Sequence, residues 1–283
     1  MQISVVIPTF NRLQTLIPAI ESVCNQTSAV DEIIVVDDGS TDTTSSEVSR
    51  CYPQVRLIRQ SNRGVSAARN AGIKQASFDW IALLDSDDSW LPEKIASIRM
   101  AKYRQPEYLL FHSDEIWMRR GVRVNAMNKH RKSGGWIFEN CLPLCVISPS
   151  AAVIHRSLLQ SSGYFDETLP ACEDYDLWLK ICHQYPVCYI DKPLITKYGG
   201  HEDQLSTRYW GMDRFRIGSL HRLLQQAVLN DQNRQAAASM LVKKLLILLK
   251  GARKHSNQKI IDEFAPMLEQ AQNRAQLDEY ASC

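Results

Sequence analysis

The chain has 283 residues, 45% of them hydrophobic and 23% charged, with a formal net charge of +2. That length and apolar content suffice for one large core or two modest ones, which excludes a disordered chain. With no long basic stripe before residue 240, the balance argues against a dedicated nucleic-acid binder.

The first element is "ISVVI" (3–7), β-branched and apolar on both faces, as suits a central parallel strand covered by helices; Pro8 is expected to end its ladder. A helix is expected from about Thr15, which puts Pro18 in the first turn, where a missing N–H costs little. "EIIVVDDGS" (32–40) reads as the second strand, with Thr41 and Asp42 as caps for a helix running to Cys51. "VRLI" is a short third strand, "VSAARNAGIKQA" (65–76) a helix, and "WIALLDSDD" (80–88) a fourth strand with its exit loop. Pro92 marks the first turn of the next helix. Strands alternating with helices in this way predict a parallel α/β sheet.

After residue 105 the pattern is mixed. "YLLFHSD" (108–114), "EIWMRRGVRV", "AAVIH" (151–155), "VCYI" and "LITKY" read as strands, and "EDYDLWLKICHQY" (173–185) as a helix. From about 206 onward the pattern is helical, with no repeat and no low-complexity linker. The N-terminus lacks the pattern of a secretory leader and no stretch is apolar for long enough to span a bilayer, so the expectation is an unprocessed cytoplasmic protein. Eight cysteines without a CxxC pair point to buried free thiols and not to zinc.

Three strands exit into polar clusters: "PTFN", "DDGS" and "DSDD". Each by itself could merely cap the following helix. Together they suggest a site, because Asp85, Asp87 and Asp88 repel one another unless a cation or hydrogen-bond donors face them. An all-oxygen cluster suits Mg2+ or Mn2+, which usually share a substrate diphosphate.

The stretches "VVIPTFNR" (5–12), "DEIIVVDDGSTD" (31–42), "NRGVSAARNAGI" (62–73), "WIALLDSDDSWLPEKI" (80–95), "GYFDE" (163–167), "EDYDLWLK" (173–180) and "HEDQLS" (201–206) resemble, in order, the inverting family 2 glycosyltransferases. The resemblance implies a GT-A fold, a Rossmann-like mixed sheet flanked by helices, over 1–206. Its nucleotide-binding part would be about 1–105 and its acceptor-binding part about 106–206, with 207–283 as a C-terminal helical extension. It implies transfer of a sugar from a nucleotide-sugar donor, a UDP-sugar favoured, to a glycan or lipid-linked acceptor, as in surface polysaccharide synthesis.

By the same resemblance, Pro8 and Thr9 would face the base and Asp38 its ring nitrogen, while Arg63 and Arg69 would contact the nucleotide. Asp85 would lie near the ribose and sugar, Asp87 on Mn2+ or Mg2+, Asp88 in support, and His201 as a metal ligand or diphosphate contact. Phe10 reads as a pocket wall or, better, as core. The general base would be Asp174 of the "ED" pair with Glu173 beside it and Asp176 the weaker alternative; an offset of the helix dipole is the competing reading of both acids. Since fold does not establish activity, a noncatalytic nucleotide- or sugar-binding protein is the rival, and "DSDD", "ED" and His201 together favour an enzyme.

In the tail, "ASMLVKKLLILLKGARKH" (238–255) sets Lys243, Lys244, Lys250, Arg253 and Lys254 near an apolar stripe. That pattern fits peripheral contact with an anionic membrane, or a helix packing its stripe on neighbours, the favoured reading.

Overall fold

The computed structural model describes residues 1–125, 127, 130–200 and 209–281, and of 274–281 the backbone alone. His201 and the "HEDQLS" stretch lie outside the described residues.

The strands are β1 (Ile3–Thr9), β2 (Glu32–Asp37), β3 (Arg56–Arg59), β4 (Trp80–Leu83), β5 (Ser89–Trp90), β6 (Leu110–Arg119), β7 (Val122–Val124), β8 (Val153–His155) and β9 (Cys188–Gly199). They form one sheet in the order β3-β2-β1-β4-β8-β6-β9-β5, with β7 pairing β6. β3, β2, β1 and β4 run parallel, whereas β8 is antiparallel to both β4 and β6 and β5 is antiparallel to β9. The helices are α1 (Leu13–Cys24), α2 (Thr44–Cys51), α3 (Val65–Gln75), α4 (Lys94–Arg104), α5 (Phe138–Cys141), α6 (Arg156–Ser162), α7 (Glu173–Cys182), α8 (Asp213–Gln226), α9 (Asp231–Lys254) and α10 (Gln258–Ala281).

Alternation along β1 divides the core in two. Val5 and Ile7 pack with Leu16, Ile20 and Ile95 of α1 and α4 on one face, while Val6 joins Ala68 and Ile73 of α3 on the other. On that second side a Cβ on Gly72 would run into the side chains of Val6 and Val36, so glycine sets how closely α3 lies on the sheet. The strand order reverses between β1 and β4, and in such sheets the crevice beyond the carboxyl ends at the reversal is where ligands bind.

Several expectations are corrected. Pro8 does not end β1: it pairs with Val36 and the strand runs on to Thr9. β4 has already left at Leu83, opposite Val6, so Pro8 sits on a local edge that tolerates a missing donor. α1 starts at Leu13, which puts Pro18 inside the helix; Gln14, whose carbonyl loses its partner, is exposed to water. The N-cap of α2 is Thr43, neither Thr41 nor Asp42, although Asp42 Oδ1, one residue earlier, accepts the Thr44 N–H at 2.9 Å. The segments at 108–114 and beyond merge into one ten-residue β6, and "VCYI" and "LITKY" into one strand, β9, with a register shift against β6 near Asp114. Phe10 is 42% exposed and is not core. Cys24 and Cys51 are exposed, in contrast to buried Cys141, Cys172, Cys182 and Cys188.

α9 spends Leu241, Leu245, Leu248 and Leu249 on the core it shares with α8 and α10. Lys244, read from sequence as part of a basic surface, is 5% exposed and donates to the Pro143 carbonyl and to Asp213. Among the described residues no helix is long and apolar enough to cross a membrane.

Candidate active site

Two strand exits are tied together first. The Asn11 N–H donates to Ser40 Oγ, and Asn11 Oδ1 accepts the Thr41 N–H, each at 2.8 Å, which joins "PTFN" to "DDGS". Gly39, at φ +86°, lets that turn press on the 60–64 loop, where a Cβ would stand 2.8 Å from the Asn62 nitrogen. Asp38 is 4% exposed; its carboxylate accepts from Gln60 at 2.7 Å and from the backbone N–H groups of Arg63 and Gly64 at 3.0 and 2.8 Å. Asp38 therefore holds this loop in place, and the lone-pair capacity it keeps for a ligand is small. Thr9 gives its carbonyl to the Asp38 N–H, and its own hydroxyl is buried without a partner among the described residues. Arg63 turns outward to Glu167 at 2.6 Å, its side chain 61% exposed.

The other expected residues meet in a cleft of about 280 Å³ at the reversal point, which Pro8, Arg69, Asp85, Asp87, Glu173 and Asp174 all line. α3 carries Arg69 into it. Asn70, the next residue, clamps the backbone of Phe165 on both its N–H and its carbonyl, so "NRGVSAARN" and "GYFDE" are held as one unit. Arg69 is neither a surface charge nor exposed. Its guanidinium spans Asp85 and Glu173 at 2.6 Å each, with its side chain 4% exposed. Burial disfavours the Arg69 cation, but the attraction of Asp85 and Glu173 outweighs this and raises its pKa. Asp85 is held below the ordinary carboxylate range because Arg69 overcomes its burial, whereas burial wins at Glu173 and lifts it.

Asp87 pairs with Arg12 at 2.8 Å. Asp88 is buried, accepts from Ser150 Oγ at 2.5 Å and the Tyr198 N–H at 3.1 Å, and is pushed up to about 8 by burial and by the charges of Asp87 and Asp85. Among the described residues no group of three or more His, Cys, Asp or Glu side chains is arranged as a metal cage. Asp85 and Asp87 do offer hard oxygen donors in the cleft, the chemistry that suits Mn2+ or Mg2+ shared with a diphosphate.

α7 begins at the cleft through Cys172 in the left-handed region, and its first turn carries both acids. Asp174 Oδ1 accepts the Tyr175 N–H at 2.7 Å and Oδ2 the Cys145 thiol at 3.2 Å. Asp176 points elsewhere, to Lys180 and Arg222, and does not line the cleft.

Sequence reasoning missed Lys197, Cys145, Met212 and Arg216, all of which line the cleft. Lys197 donates to Ser148 Oγ at 3.1 Å, and Asp88, Glu115 and Asp85 raise its pKa against the cost of burial. The one available signal was a lysine inside an otherwise apolar strand pattern. A lone cysteine and an arginine beyond residue 206 carried none.

The profile of Glycosyl transferase family 2 matches residues 4–160. An uncharacterized glycosyltransferase of Rickettsia felis is 33% identical over 201 residues, 68% of this chain and 32% of that protein. The chain thus spans about a third of the length of the Rickettsia felis and Rickettsia conorii relatives it matches. The uncharacterized glycosyltransferase YwdF of Bacillus subtilis is 32% identical over 192 residues, 66% of this chain and 70% of its own. Among solved structures, S. aureus TarS 1-349 in complex with UDP-GlcNAc superposes with a TM-score of 0.70 at 20% identity, covering 85% of this chain and 72% of that one. The mannosyltransferase PcManGT of Pyrobaculum calidifontis, in complex with GDP-Man and Mn2+, does so with a TM-score of 0.58 at 16% identity, covering 98% and 87%. At these identities the likeness establishes the fold: a GT-A mixed sheet between helices with a C-terminal helical extension.

Proposed function

Because the chain belongs to glycosyl transferase family 2, we propose that it transfers a sugar, with inversion, from a nucleotide-sugar donor to a hydroxyl of a glycan or lipid-linked acceptor. The observation that carries this reading is Arg69 joining Asp85 to Glu173 across the cleft, with Asp174 lining the same cleft beside it. UDP-sugars are the favoured donors, supported by the UDP-GlcNAc complex of TarS, while the GDP-Man complex of PcManGT supports a nucleotide-sugar donor without favouring UDP.

In this reading Asp174 takes the proton from the acceptor hydroxyl as that oxygen attacks the anomeric carbon and the nucleoside diphosphate leaves. Glu173, committed to Arg69 and buried, positions that arginine and is not the base. Arg69, Lys197 and Arg216 set positive charge along the cleft where the leaving diphosphate gathers negative charge. Asp87, with Asp85, would hold Mn2+ or Mg2+, which as a Lewis acid would neutralise diphosphate charge. Pro8, Thr9 and the Asp38-anchored loop form the side toward the base, and Arg63 reaches a nucleotide only by releasing Glu167. The apolar stripe of α9 is used in packing, which supports support of the catalytic part over membrane contact as its role.

Calorimetry with UDP and GDP, with Mn2+ and with chelator, followed by donor hydrolysis, tests the proposal. Tighter UDP binding in Mn2+ and slow release of sugar from one UDP-sugar are expected. Failure of every nucleotide to bind would overturn it, and binding without hydrolysis or transfer would leave a noncatalytic binder.

A further inference from the structure

The β6–β7 hairpin carries a concentration of charge that the proposed chemistry leaves unused. Between Glu115 and Glu139 the chain holds six Lys and Arg residues and no acid. Glu115 itself is already engaged: its carboxylate meets Lys132 at 3.2 Å and accepts the Trp117 indole N–H at 2.6 Å. Arg119, Arg120 and Arg123 at the end of the hairpin are exposed, and none of their guanidinium groups has an ion-pair or hydrogen-bond partner among the described residues.

The turn is built at a local cost. Arg119 pairs with Val122, so Arg120 and Gly121 form a two-residue loop, at φ +50° and +77°. A loop with both central residues left-handed favours asparagine, aspartate or glycine in its first place, where an arginine is strained. Strain of this kind points to a residue kept for what its side chain does, and nothing within the described fold uses that side chain.

The sheet register sets this tip at the mouth of the cleft. Lys197 and Tyr198, which line the cleft, pair with Trp117 and Met118, and the next pair outward is Gly199 with Arg119. Met118 also pairs with Arg123, so Tyr198, Met118 and Arg123 share one face of the sheet. Apolar side chains accompany the charges: Val122 is 65% exposed, and Met127, three residues beyond β7, is 58% exposed. The tip residues 119–123 line no part of the cleft, so a small anion would find no enclosing donors there. Unpaired arginines beside exposed apolar side chains fit a bilayer leaflet, which offers phosphates to the guanidinium groups and an acyl boundary to valine and methionine. A nucleic acid would call for a longer basic stripe.

We propose that the tip of the β6–β7 hairpin docks the protein on an anionic membrane leaflet, with the mouth of the cleft beside the lipid surface. That such docking serves a lipid-linked acceptor rests on the proposed function; the docking itself does not.

Sedimentation of the full chain with vesicles of phosphatidylcholine alone, and of equal parts phosphatidylcholine and phosphatidylglycerol, tests the assignment. Binding is expected to the anionic vesicles only, with release by about 0.5 M salt, which screens the attraction. Arg119→Gln, Arg120→Gln and Arg123→Gln combined should weaken partitioning by roughly 10²-fold, about fivefold for each basic residue, with UDP affinity unchanged. Lys243→Gln with Lys250→Gln, on the exposed side of α9, should leave partitioning near the parent value. The proposal fails if the parent ignores anionic vesicles at low salt, if the hairpin variant binds them as the parent does, or if the α9 variant is the one that loses binding. Retention on heparin without vesicle binding would assign the tip to an anionic polymer and overturn it as well. UDP affinity reads the donor cleft separately, so failure of nucleotide binding counts against the proposed function and failure of vesicle binding against this one.

Discussion

Replacing Arg69 with Met removes the cation between Asp85 and Glu173 and leaves a side chain of similar length. The three groups are 4%, 25% and 8% exposed, so water reaches the orphaned acids poorly. At an effective dielectric of about 20, each contact contributes roughly 4 kcal/mol of gross attraction, largely offset by desolvation. Breaking a buried pair by removing one partner costs about 3–5 kcal/mol. For 283 residues a loss of ~4 kcal/mol corresponds to a fall in Tm of roughly 7 °C. The variant should also regain stability on acidification. Burial already lifts Glu173 against the pull of Arg69, so without Arg69 its folded pKa stands further above the unfolded one, the folded state holds more protons, and it is favoured as pH falls toward 5. Urea denaturation at pH 7 and pH 5, with Glu173→Gln added in a double variant, measures both effects. A cost below about 1 kcal/mol at pH 7, or one that does not shrink at pH 5 and in the double variant, would refute the idea that Arg69 holds two buried carboxylates.

Three further outcomes are expected. Asp174→Asn keeps shape but cannot accept a proton, so donor affinity should stay near the parent value while transfer falls by roughly two orders of magnitude or more; transfer at the parent rate removes Asp174 as base. Asp87→Ala should fold normally yet lose the enhancement of UDP binding by Mn2+, and undiminished enhancement in calorimetry removes Asp87 from the metal reading. Lys94 is wholly buried against the Ala151 carbonyl, and burial lowers its pKa from 10.5 to about 7. The unfolded chain then binds more protons above pH 7, so parent stability should gain up to about 1.4 kcal/mol per pH unit from pH 7 toward 9 through this group. Lys94→Met should flatten that rise in urea titrations, and an unchanged slope would show that Lys94 does not titrate there.

Much of this architecture is local in origin and so legible in the chain. The β-branched run of β1, the alternation of strand and helix to residue 104, and acidic residues at the exits of β2 and β4 need only near neighbours, and together with seven ordered motifs they identified the fold class and family. The rest depended on partners far apart in sequence. Pro8 remains in β1 because β4 ends beside it, and Phe10 is exposed because the "PTFN" turn is fastened to Ser40 and Thr41. Arg69 is buried because Asp85 and Glu173, 16 and 104 residues away, converge on it. Lys197 and Arg216 enter the cleft from β9 and α8, segments whose own patterns predict only a strand and a helix. A periodic pattern reports which face of an element is apolar. Which charges meet at the mouth of a sheet is decided by the order in which its strands assemble, because only that order determines which buried charge finds a partner and which is left for a ligand.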